Sequence, residues 1–226
     1  MNSGTIFTEI NINNSMADFG KISNHIINGG AAAIPTETVY GLVADASSES
    51  AVSIIRALKG KPIDSPIPVF VPTNMPLSKL TTENNEILFI LEKYFWPGPL
   101  LIVVKPTEQL SDLRIDCGTK IGLRKSSSPF VNQLVDRTGK FLTATSANRY
   151  GEEAIIDYET AKAVLSHPKF IIADVPDNHH SSNKPSTAIS MEQDFVIILR
   201  EGVIPVDRIK AILEKEGYRD CVRFKS

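Results

Sequence analysis

The chain has 226 residues, 42% of them hydrophobic, with 24 Lys plus Arg set against 26 Asp plus Glu for a formal charge of −2. Those values describe a globular chain long enough for one substantial core or two small ones, with a single domain expected, and they exclude any overall positive field that would draw nucleic acid. The two cysteines, Cys117 and Cys221, lack a spacing partner, no apolar run reaches the ~20 residues of a bilayer span, and no secretory signal opens the chain, so a cytoplasmic protein without zinc ribbon, disulfide framework or membrane contact is expected.

Residues 1–15 read as an N-terminal extension or edge strand, and Met16–Ile27 as a helix. Ala31–Ile34 reads as a strand apolar enough to be buried on both faces. It runs into Pro35-Thr36-Glu37-Thr38-Val39-Tyr40, a turn carrying two hydroxyls, a carboxylate and a phenol. Such turns are where α/β proteins present chemistry from a fixed backbone, although an ordinary strand exit has the same look. Ser48–Leu58 is a predicted helix, with Ala51, Ile54, Ile55 and Leu58 at i, i+3, i+4 and i+7. Lys59-Gly60-Lys61-Pro62 follows it. Two cations around a glycine can hold a phosphate chain, and they can equally cap a helix C-terminus. Ser65 stands at the entrance to the next strand, Ile67–Val71.

A helix is predicted over Glu86–Phe95, then the turn Trp96-Pro97-Gly98-Pro99, whose role reads as architectural, then a strand over Leu100–Val104. Lys120-Ile121-Gly122-Leu123-Arg124 places an arginine at a strand end, a side chain suited to forked recognition of a carboxylate or to a solvated surface. A helix over Pro129–Arg137 and a strand over Phe141–Ala144 lead to Thr145-Ser146-Ala147-Asn148. These hydroxyls and amide can bind a nucleotide or amino acid, or cap a helix. Tyr158–Leu165 is a predicted helix, Phe170–Ala173, Thr187–Met191 and Phe195–Leu199 are strands, and Pro205–Glu216 is the last helix. Pro176–Pro185 reads as a mobile loop, followed by Ser186-Thr187 and by Arg200-Glu201-Gly202. His25, His167, His179 and His180 form no ligand pattern, and the phosphate-loop, dinucleotide and nucleophile-elbow motifs are missing. The whole is a single α/β domain over 1–226 on a twisted, open, mixed sheet.

Taken in order, Pro35–Leu42, Lys59–Val71, Trp96–Leu100, Gly122–Arg124, Ser146–Asn148, Ser186–Thr187 and Leu199–Gly202 resemble the YrdC/Sua5 family of threonylcarbamoyl-adenylate synthases. The resemblance implies a YrdC-like domain whose helices flank the sheet around a large concave basic cleft. It also implies a reaction: L-threonine, bicarbonate and ATP, with Mg²⁺, give threonylcarbamoyl-AMP and pyrophosphate. The product would feed the tRNA threonylcarbamoyl transferase machinery that forms N6-threonylcarbamoyladenosine at position 37. ATP-binding positions fall on Lys59, Lys61, Ser65, Ser146, Asn148 and Arg200, and threonine-binding positions on Thr38, Arg124 and Ser186. No acid or base is implied. The chain ends soon after its last helix, without the extra C-terminal domain of the longer members.

Some positions depart from the family pattern. Lys61 stands for the usual arginine and loses its planar fork, Ser65 for asparagine, Phe70 for a frequent histidine, and Lys120 for a small hydroxyl residue beside the nucleotide. Lys125–Pro129 departs from the usual run after the arginine. Either Lys120 offsets the lost fork or the activity is altered. The competing reading is an RNA-binding or ribosome-associated module that keeps a basic cleft without catalysis.

Overall fold

The structure, a computed structural model, describes residues 8–11, 16–60, 65–115, 119–165, 169–174 and 182–225. Strand β1 (Thr8–Asn11) and helix α1 (Met16–Ile27) lead into β2 (Ala31–Ile34), β3 (Gly41–Ala44) and α2 (Glu49–Lys59). Then come β4 (Val69–Phe70), α3 (Glu86–Phe95), β5 (Leu100–Val104), β6 (Ile121–Arg124), α4 (Pro129–Thr138), β7 (Leu142–Thr143) and β8 (Thr145–Ser146). The chain closes with α5 (Tyr158–Val164), β9 (Phe170–Asp174), β10 (Thr187–Glu192), β11 (Phe195–Arg200), α6 (Val206–Lys215) and β12 (Val222–Phe224). No helix among the described residues is long and apolar enough to cross a membrane.

The strands form two mixed sheets, ordered β1-β9-β2-β3-β8 and β12-β11-β10-β5-β6-β4-β7. The chain changes sheets at Ala144: Leu142 and Thr143 pair with β4 in the second sheet, while Thr145 and Ser146 pair with β3 in the first. The single strand expected over Phe141–Ala144 is therefore two short ones belonging to different sheets. Thr143 Oγ1 donates to the Leu42 carbonyl at 3.0 Å, and Ala144 N to the Pro68 carbonyl at 2.7 Å, so the crossing segment laces the sheets together.

Burial on both faces explains the continuous apolar runs. Along β2, Ala31 and Ala33 face the larger core, while Ala32 and Ile34 face a smaller one under α1 and α4. β9 does the same with Phe170 and Ile172 against Ile171 and Ala173, the two-residue period of a strand. α1 and α4 meet through Phe19 and Phe130, whose ring centroids lie 4.9 Å apart. The helices begin where the sequence marks them: the Ser48 hydroxyl caps α2 and the Ser128 hydroxyl caps α4, the latter with Pro129 in its first turn. Pro205 is the residue before α6 rather than part of it. Trp96 is buried and donates its indole N–H to the Leu100 carbonyl at 2.7 Å, the architectural role expected of its turn.

β3, β8 and β12 carry no strong strand signal of their own, whereas the strand end expected at Arg124 is that of β6. β8 is two residues long, and β12 is an exposed edge. Their placement comes from pairing with stronger neighbours. Of the loop expected over 176–185, residues 176–181 lie outside the described residues, as do Lys61, Cys117, His167, His179 and His180.

Candidate active site

The turn between β2 and β3 is held by its own hydroxyls. Thr36 Oγ1 donates to the Val39 carbonyl at 2.7 Å and accepts from Thr38 N at 3.1 Å. The two threonine hydroxyls lie 3.0 Å apart. Thr36 has spent its single proton, so the Thr38 hydroxyl donates to Thr36 and keeps its lone pairs. One of those pairs takes Arg124 Nη2 at 3.2 Å. Thr38 therefore meets the cleft as an acceptor.

Register brings Arg124 here, since Phe70 pairs with Arg124 across β4 and β6. The guanidinium lies over the Phe70 ring, 5.4 Å from its centroid, and Nη2 reaches Glu37 Oε1 at 2.8 Å. Glu37 is further held by the Ser126 hydroxyl at 2.6 Å and by Ser127 N at 3.0 Å. Burial alone would raise the Glu37 pKa, but the Arg124 charge and these hydrogen bonds outweigh it and hold the carboxyl below its usual range. The departure from family pattern at Ser126 thus supplies a hydroxyl to Glu37 beside the backbone N–H of residue 127, and Ser128 caps α4.

A glutamate with a lowered folded-state pKa contributes stability that is fully present above the ordinary value of about 4.3 and is lost as pH falls through the lowered one. Urea midpoints measured from about pH 6 down to about pH 3 should therefore fall in the wild type, and Glu37→Gln should flatten that acid limb. An acid limb unchanged in Glu37→Gln would show that other carboxyls set it.

Arg200 ends β11, and its Nε and Nη2 both donate to the Ser186 carbonyl, at 3.2 and 2.9 Å. Gly202 makes this clamp possible: a Cβ there would lie 2.1 Å from the Pro185 carbonyl oxygen. Burial and then the nearby Arg124 charge lower the Arg200 pKa, an unfavourable placement that an anion in the cleft would relieve. Two buried side-chain polar atoms among the described residues lack a hydrogen-bond partner, Arg124 Nε and Ser186 Oγ. Both belong to residues lining one cleft.

On the other wall, Lys59 ends α2 and is 4% exposed. Its ammonium donates to the Ser146 carbonyl at 2.6 Å, and to the Asn148 carbonyl and Asn148 Oδ1 at 3.0 Å each. Asn148 Oδ1 also accepts from the Ser146 hydroxyl, and Asn148 Nδ2 donates to the Arg149 and Glu152 carbonyls at 2.8 and 2.7 Å. Lys59 and Asn148 thus turn their hydrogen bonds inward and fix the loop, while Ser146 retains lone pairs.

These groups line a cleft of about 330 Å³ between the two sheets, with Thr38, Lys59, Phe70, Arg124, Ser146, Asn148, Tyr150, Ser186 and Arg200 on its walls and no carboxylate among the described residues that line it. The structure brings together seven residues singled out from sequence: Thr38, Lys59, Arg124, Ser146, Asn148, Ser186 and Arg200. Ser65 does not line the cleft, and its carbonyl instead accepts from Arg56 at 3.0 Å. Lys61 lies outside the described residues. Lys120 is not brought to the cleft: it precedes β6, about 13 Å along the strand from Arg124, and donates to the Met191 carbonyl at 2.9 Å. Glu37 and Tyr150 are the site residues that sequence reasoning passed over. No spacing rule links residue 37 to 124 and 126, whereas Tyr150 stands two residues beyond Asn148 and could have been found there.

Fold and cleft together define a two-sheet α/β protein with a cationic pocket between its sheets. The chain belongs to the Sua5/YciO/YrdC family: the family model, described as "Telomere recombination", matches residues 24–202. A Methanocaldococcus jannaschii relative is 33% identical over 190 residues, covering 83% of this chain and 87% of its own. The threonylcarbamoyl-AMP synthase of Bacillus subtilis is 31% identical over 183 residues, and the match covers 80% of this chain but 52% of that protein. Pyrococcus abyssi Sua5 complexed with L-threonine superposes with a TM-score of 0.81 at 25% identity, covering 97% of this chain and 62% of that one. E. coli YciO shares the fold at a TM-score of 0.77 and 22% identity, over 90% of this chain and 100% of its own.

Proposed function

We propose that the chain is an L-threonylcarbamoyladenylate synthase, a nucleotidyltransferase joining L-threonine, bicarbonate and ATP. The observation that carries this reading is the pair of orphaned buried polar atoms, Arg124 Nε and Ser186 Oγ, in the cleft of a fold shared with a Sua5 complexed with L-threonine. A buried donor left unpaired is costly, and an amino acid in the cleft would satisfy it.

In this reading Arg124, aligned by Glu37, holds the threonine carboxylate. Thr38 accepts a hydrogen bond from the amino group, and Ser186 takes a remaining polar atom. The threonine amine and bicarbonate condense to a carbamate with loss of water. A carbamate oxygen then attacks the α-phosphorus, the bond from that phosphorus to the bridging oxygen breaks, and pyrophosphate leaves with the electron pair. The protein's share is positioning and charge: Arg200 keeps N–H groups beyond those given to Ser186, Lys59 acts through its buried charge, and Ser146 accepts. Lys61 would join the ATP side. A divalent ion accompanying ATP would be held by the phosphates, and no step is assigned to it. The mixed anhydride formed is reactive, which requires a transferase that consumes it, here on tRNA.

Purified protein with threonine, bicarbonate, Mg-ATP and pyrophosphatase should yield threonylcarbamoyl-AMP by mass spectrometry. No adduct together with no ATP binding would sink the assignment.

A further inference from the structure

We propose that Leu101 selects threonine over serine, by contact with the methyl group on the substrate's Cβ. The proposal deepens the synthase reading and rests on it for the identity of the amino acid. β5 lies between β10 and β6 in the second sheet. Leu100 and Ile102 are fully buried in the larger core, whereas Leu101 between them turns to the opposite face, is only partly buried and lines the cleft. An apolar side chain left partly open at the floor of a cleft gains from an apolar group set against it.

Register places Leu101 between the two orphaned polar atoms. Ile102 pairs with Leu123, so the next residues along, Leu101 and Arg124, stand side by side across β5 and β6. On the other edge of β5, Leu101 pairs with Ala188, and Ser186 lies just ahead of that strand. Arg124 Nε and Ser186 Oγ thus flank β5 from opposite sides, and an amino acid paired with both lies across Leu101. Gly122 opens the floor beside it: a Cβ there would meet Leu101 Cδ1 at 3.3 Å and Pro68 Cβ at 3.1 Å. Leu101 and Pro68 therefore close over Gly122 as one apolar surface of the cleft, next to the cation that takes the carboxylate. The span from a held carboxylate to a methyl on Cβ matches one strand spacing of ~4.8 Å, so the methyl reaches Leu101. Serine has only a hydrogen at that position and leaves the leucine uncovered. The hydroxyl is common to both amino acids and does not discriminate.

Calorimetry measures binding of L-threonine and L-serine to the wild type, Leu101→Ala and Leu101→Met, and formation of threonylcarbamoyl-AMP and of its serine counterpart is followed in parallel. The wild type should prefer threonine by roughly tenfold or more, the discrimination that a methyl group gives in an apolar contact. Leu101→Ala should weaken threonine by a similar factor and leave serine unchanged, while Leu101→Met, close in volume, keeps the preference. A preference undiminished in Leu101→Ala overturns the proposal, as does a wild type that takes both amino acids alike. An equal loss for threonine and serine also overturns it, since Leu101 would then only support β5. A Leu101-dependent preference in binding without any adduct refutes the synthase reading alone. Adduct formation with an unaltered preference in Leu101→Ala refutes the role of Leu101 alone, and a wild type that neither binds threonine nor makes adduct refutes both.

Discussion

Arg124→Ala is expected to abolish threonine-dependent turnover, lowering kcat/KM for threonine by at least about a hundredfold, from the loss of charge-assisted hydrogen bonds worth about 1.5–3 kcal/mol each. It should also lower stability by about 3–5 kcal/mol, because Glu37 is left as an uncompensated buried carboxylate. The geometry behind this is the 2.8 Å pair between side chains only 8% and 14% exposed. Arg124→Lys separates the two effects: it returns a charge to Glu37 but neither the planar fork nor Nε, so stability should recover further than threonine use. The double variant Arg124→Ala with Glu37→Gln goes further, removing the stranded charge and restoring stability without restoring threonine turnover. Thermal midpoints and steady-state kinetics on the three proteins check this. A double variant no more stable than Arg124→Ala would refute the pairing, and threonine use surviving in Arg124→Ala would refute the assigned role.

The split between stability and substrate use also explains which parts of the site could be read from sequence. Strands β2 and β5 and helices α1 and α3 have the bounds that their apolar patterns predict, because β2 is buried on both faces and β5 is buried on one face and half-buried on the other. Arg124, Ser146 and Arg200 at the ends of β6, β8 and β11, Ser186 just before β10 and Thr38 in the turn after β2 are recognisable since strand ends and tight turns fix where a side chain can go. The division into two sheets was not legible. It turns on one residue, Ala144, between two-residue strands whose pairing is a tertiary choice without a period of its own. The carboxylate of Glu37 was visible in its turn, but its partners Ser126 and Ser127 lie about ninety residues away and meet it only because the turn after β2 of the first sheet comes against the end of β6 of the second. Lys120 shows the opposite error. Four residues from Arg124 is close in sequence, but on an extended strand it is the far end.

Lys59→Met is the second large effect. A sequence reading gives Lys59 a phosphate to hold, whereas its three N–H groups are directed to Ser146 and Asn148. Methionine keeps the length and apolar stem but leaves those acceptors without this donor, at about 1–3 kcal/mol for each one stranded. A loss of about 3 kcal/mol overall is expected, a fall of roughly 6–12 °C in Tm for a chain of this size. The functional loss should be one-sided. Thr38, Glu37 and Arg124 do not depend on Lys59, so KM for threonine stays near wild type, while KM for ATP rises by roughly tenfold or more as the buried charge is lost and residues 146–152 loosen. Asn148→Asp provides the control. It keeps an acceptor for Lys59 and adds a countercharge, but it replaces the Nδ2 donor to the Arg149 and Glu152 carbonyls with an oxygen that repels them. If Lys59 serves through the loop, Asn148→Asp also raises KM for ATP despite its better charge balance. If Asn148→Asp instead binds ATP as well as the wild type while Lys59→Met does not, Lys59 acts on the nucleotide by charge alone and the loop is a bystander.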